Sequence, residues 1–194
     1  MAVIEVISGA ALAPVLAAVA RLRITVFRDW PYLYDGSAAY EQAYLQTYID
    51  APGAAIVLAR DGDNVVGAST CLPMIQAQQE VRAAFDAAGL ALAEYLYFGE
   101  SVLLPAYRGQ GLGVAFFAAR EAQARALGLP HTTFCAVQRP ADHPLRPPGA
   151  KGLEAFWANR GYTPRPELMC RMAWRDIGDA DETEKPLMFW TRAL

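Results

Sequence analysis

The chain has 194 residues, of which 54% are apolar and 19% charged, and its formal net charge is −3. That length and balance suit one globular domain over residues 1–194 with a substantial core, and they exclude a disordered or low-complexity polypeptide. The basic residues are scattered, which leaves no electrostatic footprint for nucleic acid.

No apolar run reaches the roughly 18 residues that a membrane span needs. Ala10 to Ala20 comes nearest, but it contains Pro14, runs into Arg21 and Arg23, and lacks the basic start of a signal peptide. It reads as a core helix of a cytoplasmic protein with no membrane partner. Cys71, Cys135 and Cys170 are far apart and odd in number, a pattern of reduced, buried thiols and not of a disulfide framework. His131 and His143 are the only histidines. No His, Cys or carboxylate pair has metal-ligand spacing, so no metal is expected.

In chain order, Val3 to Ile7 reads as a strand. Leu12, Val15, Leu16, Val19, Leu22 and Val26 then recur at helical spacing, in a helix that ends near Asp29 before Pro31. Phe27 to Gly36 is an aromatic-rich loop, after which Ser37 is placed to cap a helix carrying Tyr40, Tyr44, Leu45 and Tyr48. Ala54 to Arg60 and Val65 to Thr70 are strands joined by the hairpin signal Asp61-Gly62-Asp63-Asn64. Gln76 to Ala93 intervenes, with a short helix around Gln79 to Ala88, and Tyr95 to Leu104 is a long strand.

Gly111 to Leu127 is helical and stops at Gly128 and Pro130. Thr132 to Val137 is the next strand, followed by a Pro-rich loop from Gln138 to Gly152 and a short helix from Gly152 to Arg160. Leu168 to Trp174 and Leu187 to Leu194 are the last two strands. Mostly antiparallel neighbours around one strand–loop–helix–strand unit make an α/β (α+β) fold, a mixed sheet of about seven strands with helices on both faces.

The strongest chemical signal is Arg108-Gly109-Gln110-Gly111-Leu112-Gly113. Glycines at alternate positions let backbone N–H groups approach a ligand closely. They lie at a helix N-terminus, where unpaired N–H groups and the helix dipole favour an anion. Arg108 adds a charge-assisted donor. A P-loop would need Gly-Lys-Ser/Thr, and no such run exists. A dinucleotide site would need a small residue at Val114 and an acid on the next strand, which reads His131 to Val137 without one. A diphosphate of coenzyme A is the remaining ligand.

The run Leu103-Leu104-Pro105-Ala106-Tyr107-Arg108-Gly109-Gln110-Gly111-Leu112-Gly113, followed at a distance by Phe156-Trp157-Ala158-Asn159-Arg160-Gly161-Tyr162, resembles the GNAT superfamily of N-acetyltransferases. The order of elements matches from the first helix to the last strand. The resemblance implies a GNAT-like fold, acetyl-CoA as co-substrate, and a long strand that carries a bulge and splays from its neighbour. By that resemblance Val102, Leu103 and Leu104 contact the pantetheine arm, Arg108, Gly109, Gln110, Gly111, Leu112 and Gly113 hold the diphosphate, and Phe156 and Trp157 line the far side of the arm. Core packing is the alternative reading of both Phe156 and Trp157, and the favoured one for Phe156.

The reaction implied is attack of an amine on a thioester, which requires a proton acceptor. Family members place a base eleven residues before the loop's Arg, which is Tyr97 here. A tyrosine of ordinary pKa near 10 is a poor base alone. Glu100 is the other candidate, a carboxylate inside an apolar strand, where burial makes a carboxyl group a better base. Strand alternation places Tyr97 and Glu100 on opposite faces unless a bulge intervenes. The family's acid tyrosine is replaced by Trp157, so Tyr162, His143 or water is left for that role. Cys135 as an acylated nucleophile lacks an evident base.

Trp30, Tyr32 and Tyr34 are expected to form an aromatic wall for the acceptor, with Asp29 and Asp35 available to a cation. The acceptor expected is a small-molecule amine or a peptide, and the apolar final strand is available to pair across a homodimer. Two competing readings are a non-catalytic acyl-CoA-binding module and a dinucleotide-binding domain.

Overall fold

The computed structural model describes residues 2–194. Strand β1 (Val3–Ile7) is followed by a tight helical turn (Gly9–Val15) that continues into α1 (Leu16–Phe27). Helix α2 (Ala38–Asp50) starts where Ser37 Oγ accepts the Tyr40 N–H at 3.3 Å, the cap expected from sequence. Strands β2 (Ala55–Asp61) and β3 (Asn64–Pro73) form the hairpin, and α3 (Gln79–Ala87) precedes β4 (Tyr95–Leu103). Helix α4 (Leu112–Ala126), β5 (His131–Val137), α5 (Glu154–Ala158), β6 (Thr163–Trp174) and β7 (Thr183–Ala193) complete the chain.

The seven strands make one sheet in the order β1-β2-β3-β4-β5-β7-β6. Every neighbouring pair is antiparallel except β4 and β5. Side chains alternate between faces along a strand, and β2 shows both: Ile56 and Leu58 pack with α1, α2 and α3, while Val57 and Ala59 pack with α4. The first face is closed by Leu12, Val19, Leu22, Leu45, Val81 and Phe85, the second by Phe116 and Phe117.

Three sequence expectations are corrected. Gly9–Phe27 is continuous over 19 residues and by length and composition alone is apolar enough to cross a membrane. In the fold, Leu12, Val19 and Leu22 pack it onto the sheet as a core helix. Strand β6 begins at Thr163, not Leu168. Pro164 and Pro166 masked it, yet β6 is an edge strand with a register shift between Arg165 and Met169, where prolines are tolerated. The final strand cannot pair across a dimer, because β7 has β5 on one side and β6 on the other.

Candidate active site

Strands β4 and β5 pair only at Tyr95–His131, Leu96–Thr132 and Tyr97–Thr133. Beyond Tyr97 they part. Strand β4 stays on β3 to Leu103, and β5 stays on β7 to Val137. A fork therefore opens in the sheet, with Phe98–Leu103 on one arm and Phe134–Val137 on the other.

The loop Arg108–Gly113 follows β4 closely, and Gly111 is the residue that caps α4, with φ 83°. Gly109 also has positive φ, 75°. Both conformations are natural to glycine and strained for other residues. The first N–H groups of α4 have no partner within the helix and form an anion site. Arg108 Nε bonds the Leu103 carbonyl at 3.2 Å, and Tyr107 Oη bonds Asp61 at 2.8 Å, so the loop is tied to β4 and to the β2–β3 hairpin. This cradle of amides beside a guanidinium fits a diphosphate. Leu104 has its backbone polar groups already paired within the protein. Its N–H bonds Val66 O and its carbonyl accepts from Tyr107 N–H, each at 3.0 Å. Val102 and Leu103 remain on the open arm.

Along β4, Ser69 faces Ser101 while Cys71 faces Phe98, so Gly99 and Glu100 oppose Thr70 alone. This is a β-bulge. It reverses the alternation. Tyr97 and Val102 both join the α1/α2 face, whereas Phe98 and Leu103 join the α4 face. Glu100 accordingly lies on the same face as Tyr97, the condition under which both candidates can serve one reaction.

Glu100 Oε2 accepts from Tyr44 Oη at 2.9 Å and from Arg23 Nη1 at 2.7 Å. Arg23 is also paired with Glu41 and lies over the Tyr44 ring at 4.2 Å. Burial works against the Arg23 charge, but Glu100, Tyr44 and Glu41 together outweigh it and hold its pKa well above the usual value. Glu100 thus has a cation partner, and the simple premise of an unpaired carboxylate in an apolar strand does not hold. Its other oxygen, Oε1, is buried without a hydrogen-bond partner among the described residues. Sequence reasoning misses Arg23 and Glu41, although both sit on buried helical stripes, Leu12–Leu16–Val19–Arg23 and Glu41–Leu45–Tyr48.

Tyr97 is buried, and its hydroxyl is 3.3 Å from Cys135 Sγ. Burial, then the neighbouring Cys135, pushes its pKa well above the ordinary value. The phenolate is therefore disfavoured at this position. Cys135 also contacts Cys170, whose hydrogen bond is the main cause that lowers the Cys135 pKa. All three cysteines are free and buried, as expected. Tyr162 is removed as an acid candidate because it faces α4, bonded to Thr132 at 2.8 Å and Glu121 at 3.3 Å. His143 is half-buried against Trp30, their ring centroids 5.2 Å apart and tilted, in a loop that is mostly exposed.

Phe156 packs on Phe117, and Trp157 packs on Phe134 and Trp190. Both are core-packed on the α4 face and only partly buried there. Of the aromatic loop, Tyr32 packs between Phe27 and Trp174, and Tyr34 packs against Tyr40. Burial first, and then the neighbouring Cys135, pushes the Tyr32 pKa above the ordinary value. The loop is clamped by Arg139, which donates to Pro31 O, Tyr32 O and both oxygens of Asp176. Arg139 is not legible as a site residue in the Pro-rich run. Asp35 is corrected as a lure for a cationic acceptor: it is already paired with Arg28 and Arg175.

The chain matches the sequence profile of the Acetyltransferase (GNAT) family over residues 20–147. It is a GNAT acetyltransferase. No curated protein sequence matches it. The GNAT fold recurs in solved structures. Ribosomal-protein-alanine N-acetyltransferase from Brucella melitensis has a TM-score of 0.65 at 13% identity, with 99% of each chain covered. A Salmonella typhimurium protein solved with its cofactor acetyl-CoA has 0.62 at 13% identity, covering 100% of this chain and 94% of that one. An acetyltransferase from Thermus thermophilus has 0.59 at 16% identity, covering 98% of this chain and 97% of that one. GNAT membership makes acetyl-CoA the co-substrate and acetyl transfer the general activity, and nothing in these matches supports the non-catalytic or dinucleotide-binding alternatives.

Proposed function

We propose that this GNAT acetyltransferase moves the acetyl group of acetyl-CoA to a primary amine by direct attack, as a single-domain cytoplasmic enzyme. The observation that carries this reading is the fork between β4 and β5, with the diphosphate loop at its wide end and Glu100 and Tyr97 by its apex. The diphosphate is held by Arg108 and by the backbone of Gly109, Gln110, Gly111, Leu112 and Gly113. The pantetheine arm runs along Val102 and Leu103, with the exposed edges of Phe156 and Trp157 on its far side. The thioester then reaches the fork apex.

The amine nitrogen attacks the thioester carbon, the C–S bond breaks, and the electron pair leaves on sulfur. The proton released from nitrogen goes to Glu100. Its Oε1 is the oxygen not used by Arg23 or Tyr44, and it is the one offered to the amine. Tyr97, kept protonated by burial, donates toward the departing thiolate. Trp30, Tyr32 and Tyr34 bound the acceptor side. A small amine and a peptide amine both satisfy this chemistry.

The test is release of free thiol from acetyl-CoA in the presence of a panel of primary amines. Glu100→Gln should lower kcat by on the order of a hundredfold or more, the usual weight of a positioned base, with little change in KM for acetyl-CoA. Wild-type turnover in Glu100→Gln would remove Glu100 from the reaction. A pre-steady-state burst of acetylated enzyme would sink direct transfer.

A further inference from the structure

We infer that Arg120 is a positioning residue for the transfer reaction: it holds the bulge of β4 that turns Glu100 onto the α1/α2 face. The inference rests on the role proposed for Glu100.

Arg120 belongs to α4, on the other face of the sheet, and is 2% exposed. Among the described residues, none of its hydrogen bonds goes to a carboxylate. Nε bonds Phe116 O in its own helix at 3.2 Å, and Nη1 bonds the Glu100 carbonyl at 3.3 Å. The guanidinium otherwise lies over the rings of Phe98 at 4.1 Å and Phe117 at 4.9 Å. A buried cation without an ion-pair partner costs several kcal/mol. A methionine or leucine would fill much of that volume without the cost. What only a long donor supplies is the bond across the sheet to the bulge.

The bulge is held at three points. Glu100 N–H donates to Thr70 Oγ1 at 3.2 Å, and the Glu100 carbonyl accepts from Ser69 Oγ at 3.1 Å as well as from Arg120. Gly99 completes it. A Cβ there would come within 2.2 Å of Tyr48 Oη and 2.6 Å of Thr70 Oγ1, so the bulged backbone lies directly against the tyrosine pair. If the bulge is ironed out, alternation resumes from Tyr97 and carries Glu100 to the α4 face, away from Arg23 and Tyr44. The same helix begins at the diphosphate loop. One rigid element therefore presents its N-terminus to the donor and its guanidinium to the strand that carries the base.

The experiment is a double-mutant cycle between Arg120→Met and Glu100→Gln, with Arg120→Lys and Ser69→Ala as companions. Rates are followed across pH, and amide exchange is measured at Glu100. Arg120→Met should lower kcat by on the order of ten- to a hundredfold, as displaced catalytic groups do, while KM for acetyl-CoA holds. In the Glu100→Gln background it should lower kcat little further, because the two act as one unit. Exchange at Glu100 should quicken in Arg120→Met, and Arg120→Lys should restore part of both rate and protection.

Additive losses, or wild-type rate in Arg120→Met beside a slow Glu100→Gln, overturn the role of Arg120 and leave Glu100 as base. A fast Glu100→Gln overturns the base, and unchanged exchange in Arg120→Met then overturns the bulge clamp separately. If Arg120→Met does not fold, Ser69→Ala removes the second donor to the same carbonyl. Arg120→Gln, whose shorter side chain gives up the reach, then carries the test, and wild-type exchange and rate in it would overturn the clamp.

Discussion

Tyr97 shows how a residue can be located by sequence while its proton chemistry depends on what surrounds it. Its position at the fork follows from counting back from Arg108, but its chemistry follows from burial and from Cys135, which hold the phenol protonated. Tyr97→Phe is expected to slow the chemical step by about tenfold, less than the roughly hundredfold or more usual for acid–base catalysis, because thiolate is a tolerable leaving group. The pH profile of kcat should keep its shape between about pH 6 and 9, below the tyrosine range. A lost or displaced limb there would restore Tyr97 as the base. Glycine is the other residue-scale lesson. Gly111 takes φ 83° as the cap of α4, and Gly111→Ala should cost about 1–2 kcal/mol in that conformation. A raised KM for acetyl-CoA and a lowered Tm should report it, and an unchanged KM would detach Gly111 from the donor. Its role was legible because the spacing of glycines is local. Arg23 and Gly99 carried signals too, a charge on an apolar stripe and a glycine within a strand. Their partners, Glu41 and Tyr48, come from another helix and cannot be read from spacing.

At the scale of elements, the order of strands and helices was legible because each has a strong period or a clear stop. The exceptions are the start of β7, which begins at Thr183 inside the charged run and not at Leu187, and the start of β6. Its prolines suppress the strand pattern, and only its place at the sheet edge explains them. The aromatic loop was legible as a loop but not as a fixed one. Arg139 fixes it from more than a hundred residues away, through two backbone carbonyls and a bidentate pair with Asp176. Arg139→Ala leaves Asp176 with Lys185 as its cation and should loosen the loop. The expected result is a rise in acceptor KM, with KM for acetyl-CoA unchanged, read in the same thiol-release assay. Equal changes in both constants would mean that the loop serves the whole fork. Burial opposes the Asp176 charge, but Arg139 and Lys185 outweigh it and hold its pKa below the usual carboxylate value. The stabilisation is present above about pH 4 and is lost as pH falls through the depressed value. The stability gap between wild type and Asp176→Asn should therefore close in acid.

For the whole molecule, the α1/α2 face gathers phenols, among them the buried Tyr48 and Tyr97 and the partly buried Tyr32 and Tyr44. Burial raises the pKa of Tyr32, Tyr44, Tyr48 and Tyr97 above the ordinary value near 10. In the unfolded chain these groups ionise near pH 10, whereas in the fold they stay protonated to higher pH. Their contribution is complete below about pH 10 and lost as pH rises beyond it. Alkaline unfolding should therefore be cooperative, with phenolate absorbance appearing together with loss of structure. Phenolate absorbance well ahead of unfolding would show that the cluster is wetter than its packing implies. The sheet order has a consequence for how the protein is made. Strand β7 lies between β5 and β6, yet it leaves the ribosome after both. At roughly 5–20 residues per second, β5 waits seconds with an open edge while the Pro-rich loop, α5 and β6 emerge. During that interval the nascent chain carries the apolar run Phe134 to Val137 without its cover, the stage at which a chaperone or a neighbouring polysome chain would meet it.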